Sequence, residues 1–168
     1  EPNTWITSGG LGTMGFEVPA AMGAAVARPD MIVWSIAGDG GFQMTMSELA
    51  TIVEQRLPVK FAILNNNSLG LVRQLQDLFY DGVRVSTAYS GNPDFVKLAE
   101  AYGIWATRVS DPTQVRGAID DANAVDGPTL IDFVIASEEN VYPHLPAGGT
   151  ASEMIEGPLG KDAPAWLS

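Results

Sequence analysis

Two apolar runs, each ending abruptly in small or polar residues, constrain this chain more than any other feature. Ile32-Val33-Trp34-Ser35-Ile36-Ala37 gives way to Gly38-Asp39-Gly40-Gly41-Phe42, and Phe61-Ala62-Ile63-Leu64 gives way to Asn65-Asn66-Asn67. A run of that length, closed by glycine or asparagine, reads as a buried strand of a parallel sheet delivering its last residues to the sheet's carboxyl edge. Open α/β sheets bind their ligands at that edge. The residues delivered there are one carboxylate (Asp39), up to three carboxamides (Asn65, Asn66, Asn67), and glycines that let backbone N–H groups come close to an anion. Oxygen donors beside a glycine-rich turn suit a hard cation such as Mg²⁺ holding a diphosphate. Gly, Asp and Asn are also ordinary turn residues, so either end alone is consistent with a plain polar turn. The two ends together favour a site.

At 168 residues the chain has room for one domain with a full core and is short for two. Its 46% hydrophobic and 17% charged residues are the balance of an ordinary globular chain. A net charge of −11 argues against nucleic acid or an anionic membrane surface as partner. The same charge means that a phosphate ligand needs a metal or oriented backbone dipoles to offset the field. Cysteine is absent, which excludes disulfides, thiolate metal ligands and a cysteine nucleophile. No apolar run reaches the roughly 18 residues of a membrane span, and the N-terminus has no basic-then-apolar leader pattern, so a cytoplasmic location is expected. Glu1-Pro2-Asn3 stands directly before a strand-like run, as expected of a cut inside a longer protein.

Along the chain, Thr4-Trp5-Ile6-Thr7 is a short strand candidate leading into Ser8-Gly9-Gly10-Leu11-Gly12-Thr13-Met14-Gly15. The alanine-rich stretch 16–28 reads as a buried helix, with Pro19 near its first turn where proline is tolerated. Thr45-Met46-Ser47-Glu48 has the spacing of a capping box opening a helix to Arg56, and Leu57-Pro58 ends it. Strand, helix, strand over this length is a βαβ unit, which puts both polar strand ends on one edge. Residues 70–80 form an amphipathic helix, 81–92 an irregular loop, and Pro93 opens another helix. A strand at 104–109, a helix capped by Asp111-Pro112 and a last strand at 129–135, apolar apart from Asp132, complete the pattern. The expected fold is α/β, a doubly wound, mostly parallel sheet with helices on both faces. Residues 1–136 form its body, and the Pro/Gly/Glu/Ser-rich stretch 137–168 is a tail over the same domain.

Gly10-x-Gly12-x-x-Gly15, between a strand and a helix, fits the dinucleotide fingerprint, with Asp39 near the position of a ribose-binding carboxylate. An NAD-binding dehydrogenase domain is therefore one reading. It leaves the glycines around Asp39 and the asparagine cluster unexplained. Gly38-Asp39-Gly40, followed after 25 residues by Asn66, instead has the form of the thiamine-diphosphate motif. The likeness extends through Trp5-Ile6-Thr7-Ser8-Gly9-Gly10-Leu11-Gly12-Thr13-Met14-Gly15-Phe16, Gly38-Asp39-Gly40-Gly41-Phe42, Leu64-Asn65-Asn66, Gly70-Leu71-Val72-Arg73-Gln74, Asn92-Pro93-Asp94-Phe95 and Glu139-Asn140-Val141-Tyr142-Pro143. Over nearly its whole length the chain resembles the C-terminal, diphosphate-binding domain of the acetohydroxyacid synthase (acetolactate synthase) catalytic subunit.

The resemblance implies roles for particular residues. Asp39 and Asn66 would bind Mg²⁺ through side-chain oxygens and Ser68 through its backbone carbonyl. Gly38, Gly40 and Gly41 would approach the diphosphate, near the N-terminus of the helix after Thr45. Met14 would prop the cofactor in its bent shape, although core filling is the simpler role for a methionine. Gly12 and Met14 would accept from the aminopyrimidine through their carbonyls. Gly70 and Leu71 would complete the cofactor contacts, and Met14, Leu71 and Leu75 would stand at the reacting end. The activity implied is decarboxylation of pyruvate and transfer of the remaining fragment to a second 2-keto acid, in branched-chain amino-acid biosynthesis. The implied assembly is a homo-oligomer, dimer or tetramer, with a possible regulatory small subunit. FAD and the glutamate that activates the cofactor would belong to other domains. Several positions depart from the usual pattern. Leu75 stands where tryptophan narrows the pocket for the second substrate, Asn67-Ser68-Leu69 is an unusual loop, Glu17 replaces a small residue, and His144 replaces an apolar one. As the only histidine, His144 invites a catalytic role, against which stands a surface or packing role. Pyruvate oxidase-like or other decarboxylase chemistry shares the central motif, and a free-standing, non-catalytic diphosphate-binding subunit is a further alternative.

Overall fold

A computed structural model describes residues 2–158, and expectations for Glu1 and for positions 159–168 of the tail lie outside the described residues. Two compact units are present. The first takes the described residues up to Asn66 together with Gly91–Ile135, and the second takes Asn67–Ser90 and the described residues from Ala136 onward. In chain order the first unit contains α1 (Glu17–Ala27), β1 (Val33–Gly38), α2 (Asp39–Thr45), α3 (Leu49–Glu54) and β2 (Val59–Asn65). α4 (Gly70–Phe79) belongs to the second unit, and α5 (Phe95–Ala101), β3 (Trp105–Val109), α6 (Val115–Ala124) and β4 (Thr129–Val134) return to the first.

The four strands form one wholly parallel sheet in the order β1-β2-β4-β3. Parallel pairing follows from the long helical crossovers, since a tight turn would force neighbours antiparallel. Side chains alternate across the sheet, so one face of β2 presents Val59, Phe61 and Ile63, all fully buried. Against them pack Val18, Ala21 and Ala25 of α1, Leu49 and Ile52 of α3, and Phe95 and Ala99 of α5. The small residues of α1 permit close approach to the sheet. Phe42 sits edge-on to Phe61 and to Phe95, ring centroids 5.8 Å apart in both pairs, the geometry that aromatic quadrupoles favour. On the other face α6 lays Ala118 and Ala122 over Val109 and Ile131. Helices thus cover both faces, the doubly wound arrangement expected.

Three local expectations change. The two apolar runs are expected side by side at the centre of the sheet; β1 and β2 are neighbours, but β1 lies at its edge. Residues 4–7 form no strand. Hydrogen-bonded pairing makes a strand, and this segment instead runs along one wall of a cavity of about 710 Å³, whose other walls are α1 and β1. The helix expected from Thr45 begins earlier, at Asp39. Gly38 has extended dihedrals (φ −74°, ψ 155°) and serves as N-cap, Asp39 opens α2, and a 3₁₀ turn at Met46–Glu48 connects to α3. Thr45 therefore closes a helix, and its hydroxyl donates to the Gly15 carbonyl (3.0 Å) instead of capping.

The second unit is organised on α4. Its buried side holds Arg73 and Gln74, which reach the chain 66 and 67 positions later. Arg73 donates to the Glu139 carbonyl (3.0 Å) and to Asn140 Oδ1 (2.8 Å). Gln74 donates to the Val141 carbonyl and accepts from the Val141 N–H, both at 2.8 Å. Further on, His144 and Ile155 pair through their backbones, and Thr150 with Glu153 forms a capping box over a short 3₁₀ turn. The His144 ring lies 5.8 Å from that of Phe79, which gives the one histidine a packing role.

Candidate functional site

The register pairs Gly38 with Leu64, so β1 and β2 end side by side. Asp39 follows the first end, and Asn65 and Asn66 stand at the second. They share the carboxyl edge of the sheet, as the spacing predicts. Asp39 is 1% exposed. Its Oδ1 accepts from the Gly40 N–H (2.9 Å) and its Oδ2 from Asn92 Nδ2 (2.7 Å). An N–H expected to face a phosphate thus also orients the carboxylate.

Asn92 lies just before α5, and its amide joins several elements. Nδ2 donates both to Asp39 and to Asn65 Oδ1 (3.0 Å), and Oδ1 accepts from Gln43 Nε2 (3.1 Å). Asn65 Nδ2 donates in turn to Asp132 Oδ1 (3.0 Å) on the neighbouring strand β4. Asp132 is fully buried, and its Oδ2 accepts from Arg108 Nε (2.8 Å). Arg108 closes the network on Asp94 Oδ1 (2.8 Å), the N-cap of α5. The hydrogen bond that Arg108 donates to Asp132 leads the interactions that raise the Arg108 pKa above its ordinary value. Partial burial works to raise the Asp94 pKa, but the Lys97 N–H and Arg108 outweigh it and hold the carboxyl below its usual range. Asn92, Gln43, Arg108 and Asp132 were not among the sequence candidates. Asp132, alone in an apolar strand, was the one visible signal.

The turn before α1 carries Gly12 and Met14. The Gly12 N–H donates to the Ser8 carbonyl (2.7 Å) and the Thr13 N–H to Ser8 Oγ (3.1 Å). Gly12 and Gly15 take left-handed dihedrals, φ 63° and 82°. Met14 is 39% exposed rather than packed as core filler. Because residues 4–8 are not a strand, the strand that a dinucleotide fingerprint needs ahead of its glycines is missing. Glu17 Oε1 is buried with no hydrogen-bond partner among the described residues, and it lies 2.6 Å from where a Cβ on Gly41 would stand. Gly41 therefore makes room for Glu17.

In the second unit Ser68 is buried. Its Oγ donates to the Thr87 carbonyl (2.8 Å), and its backbone bridges Ala88. Gly70 opens α4, and Leu71, Val72, Leu75 and Phe79 form an apolar side of that helix left open to solvent. Leu75 and Phe79, with His144 and residues 145–149, line a cavity of about 700 Å³.

Among the described residues no three His, Asp, Glu or Cys side chains cluster as a metal cage. A dedicated cage is not what Mg²⁺ needs: it takes one or two carboxylates and fills its octahedron with phosphate oxygens and water. Each oxygen of an ionised carboxylate such as Asp39 offers two lone-pair directions. A buried, oriented carboxylate at the sheet edge, with a carboxamide at the adjoining strand end, therefore fits a Mg²⁺–diphosphate group.

Comparisons with known proteins agree with this chemistry. Residues 1–133 match the family described as thiamine pyrophosphate enzyme, C-terminal TPP binding domain. An acetolactate synthase of Mycobacterium leprae is 46% identical over 159 residues, 92% of this chain and 25% of that protein. The acetolactate synthase isozyme 2 large subunit of Escherichia coli is 46% identical over 155 residues, 92% of this chain and 28% of that protein. A chloroplastic acetolactate synthase of Nicotiana tabacum is 46% identical over 163 residues, 92% of this chain and 24% of that protein. The chain thus spans about a quarter of the length of these relatives. With a parallel sheet that brings Asp39 and Asn66 to one edge, and a family match across most of its length, this chain belongs to the C-terminal TPP-binding domains of the thiamine pyrophosphate enzymes.

Proposed function

We propose that this chain is the cofactor-binding domain of an acetolactate synthase, holding thiamine diphosphate through Mg²⁺. The observation that carries the reading is the buried, doubly hydrogen-bonded Asp39 at the end of β1, beside the asparagine end of β2. Asp39 supplies the anionic ligand and Asn66 a neutral one. The metal offsets a protein charge of −11 that would otherwise repel two phosphates. The Gly12–Met14 turn presents carbonyls and the exposed Met14 side chain to the thiamine end. When bound, thiamine diphosphate supplies a carbon nucleophile for the keto carbon of pyruvate.

The substrates are then pyruvate and a second 2-keto acid. The oligomer, a regulatory small subunit, FAD on another domain and a cytoplasmic location belong to the same reading. The relatives' names and their 46% identity support the acetolactate synthase activity, and the name of the Escherichia coli large subunit supports a smaller partner. Calorimetric titration of the full-length protein tests it. Thiamine diphosphate should bind only with a divalent cation such as Mg²⁺ present, and NAD⁺ should not bind. Asp39→Ala should abolish uptake, and Asn66→Ala should weaken it less, because a neutral ligand contributes less than a charged one. Binding undiminished in EDTA would overturn the assignment.

A further inference from the structure

A ligand carboxylate does its work only if something fixes the direction of its oxygens. The Gly40 N–H on Oδ1 is a contact between chain neighbours. The grip on Oδ2 comes from Asn92, 53 positions away and at the start of a different helix. We propose that Asn92 is the positioning residue of Asp39, aiming it at the cation and so setting the site's preference for Mg²⁺.

The direction of the Asn92 amide is forced by its neighbours. Gln43 Nε2 occupies its oxygen, while Asp39 Oδ2 and Asn65 Oδ1 take its two hydrogens. Turned over, the amide would set its oxygen against two acceptors. Asn65 is locked in the same sense, because its Nδ2 must face the Asp132 carboxylate. Asp132 is held in turn by Arg108. The arm that holds Asp39 is therefore braced from β2, β4 and β3, and each of its carboxamide groups is used. An aspartate at 92 has the same shape but would set an acceptor against Asp39.

The inference rests on the Mg²⁺ role of Asp39 proposed above. Partners of this kind, which orient a metal ligand from behind, typically change metal affinity about 10- to 100-fold when removed. Loss of direction also affects metals unequally. Mg²⁺ demands near-ideal octahedral geometry at short distance, whereas Ca²⁺ accepts longer and irregular coordination. A misaimed Asp39 should penalise Mg²⁺ more than Ca²⁺.

The experiment is metal titration of the full-length protein with saturating thiamine diphosphate, following metal-dependent cofactor uptake separately with Mg²⁺ and Ca²⁺. Melting in EDTA is recorded for every variant. Asn92→Ala should weaken Mg²⁺ about tenfold or more and Ca²⁺ by a clearly smaller factor, with melting near wild type. Gln43→Leu, which removes the donor to the Asn92 amide oxygen and to the Asp39 backbone carbonyl but leaves the bonds on the Asp39 carboxylate in place, should move the Mg²⁺/Ca²⁺ ratio in the same direction by less, and it serves alone if Asn92→Ala does not fold. Unchanged Mg²⁺ affinity, or equal losses for both metals, overturns the positioning role. A wild type that takes up neither metal with the cofactor overturns the functional reading and this inference with it.

Discussion

Gly15 shows how one missing side chain can join two elements. It holds a left-handed φ of 82°, and a Cβ there would stand 3.0 Å from Met44 Cβ and 3.1 Å from Thr45 Cγ2. Its carbonyl accepts from Thr45 Oγ1, tying the Met14 turn to the last residue of α2. Gly15→Ala meets both backbone strain and crowding, and the strain alone costs about 1–3 kcal/mol. Urea denaturation should show a loss of at least that order, with Gly10→Ala, where a Cβ meets nothing within 4 Å, much milder. The sequence marks both glycines alike, because what separates them is the distant Met44–Thr45 pair. The same holds for the asparagine trio. Asn65 is turned sideways into Asn92 and Asp132, Asn66 ends the first unit, and Asn67 takes a left-handed φ of 54°. Type and spacing brought the three to one place, but only the cross-strand partners distinguish them.

At the scale of elements, α4 and the stretch 139–141 form a clasp of side chains on backbone. Gln74 is fully buried, and both ends of its amide are spent on Val141. Gln74→Leu fills similar space but removes both bonds to the backbone of Val141, an exposed residue, at about 0.5–1.5 kcal/mol per bond. Hydrogen exchange at the Val141 amide should quicken tenfold or more, while mid-helix amides of α4, whose bonds are internal, change little. Periodicity and punctuation made most elements legible: α1, α4, α5, α6 and all four strands lie within a few residues of where apolar pattern and Pro, Gly or Asp signals put them. Two signals misled for physical reasons. The Thr45–Glu48 spacing is that of a capping box, but a helix is already under way from Asp39, and Thr45, ahead of only a short 3₁₀ turn, spends its hydroxyl on the Gly15 carbonyl. The run at 4–7 has strand composition, yet composition cannot supply a pairing partner. The Asp94–Arg108–Asp132–Asn65–Asn92–Asp39 network was hidden because its members come from separate strands and helix ends.

At the scale of the whole molecule, that network makes stability depend on acid. The Asp94 carboxyl titrates below its usual range in the folded state, despite partial burial that works the other way. The unfolded chain therefore takes up this proton first. Its contribution is complete above the unfolded value, near about 3.9, and is lost as pH falls through the lower folded one. Urea midpoints measured from pH 7 downward should fall less steeply below about pH 4 in Asp94→Asn than in wild type. The strand order has a consequence of another kind, in time rather than energy. β4 is the last of the described strands, yet it lies between β2 and β3 in the sheet. A ribosome that has finished β2 must make residues 66–128 before the first residue of β4 exists. At about 5–20 residues per second the inner edge of β2 stays open for on the order of 3–13 s. Throughout that interval the nascent sheet carries a row of unsatisfied amides and the apolar flank of Phe61 and Ile63, so its yield in the cell should depend on what shields that edge while synthesis continues.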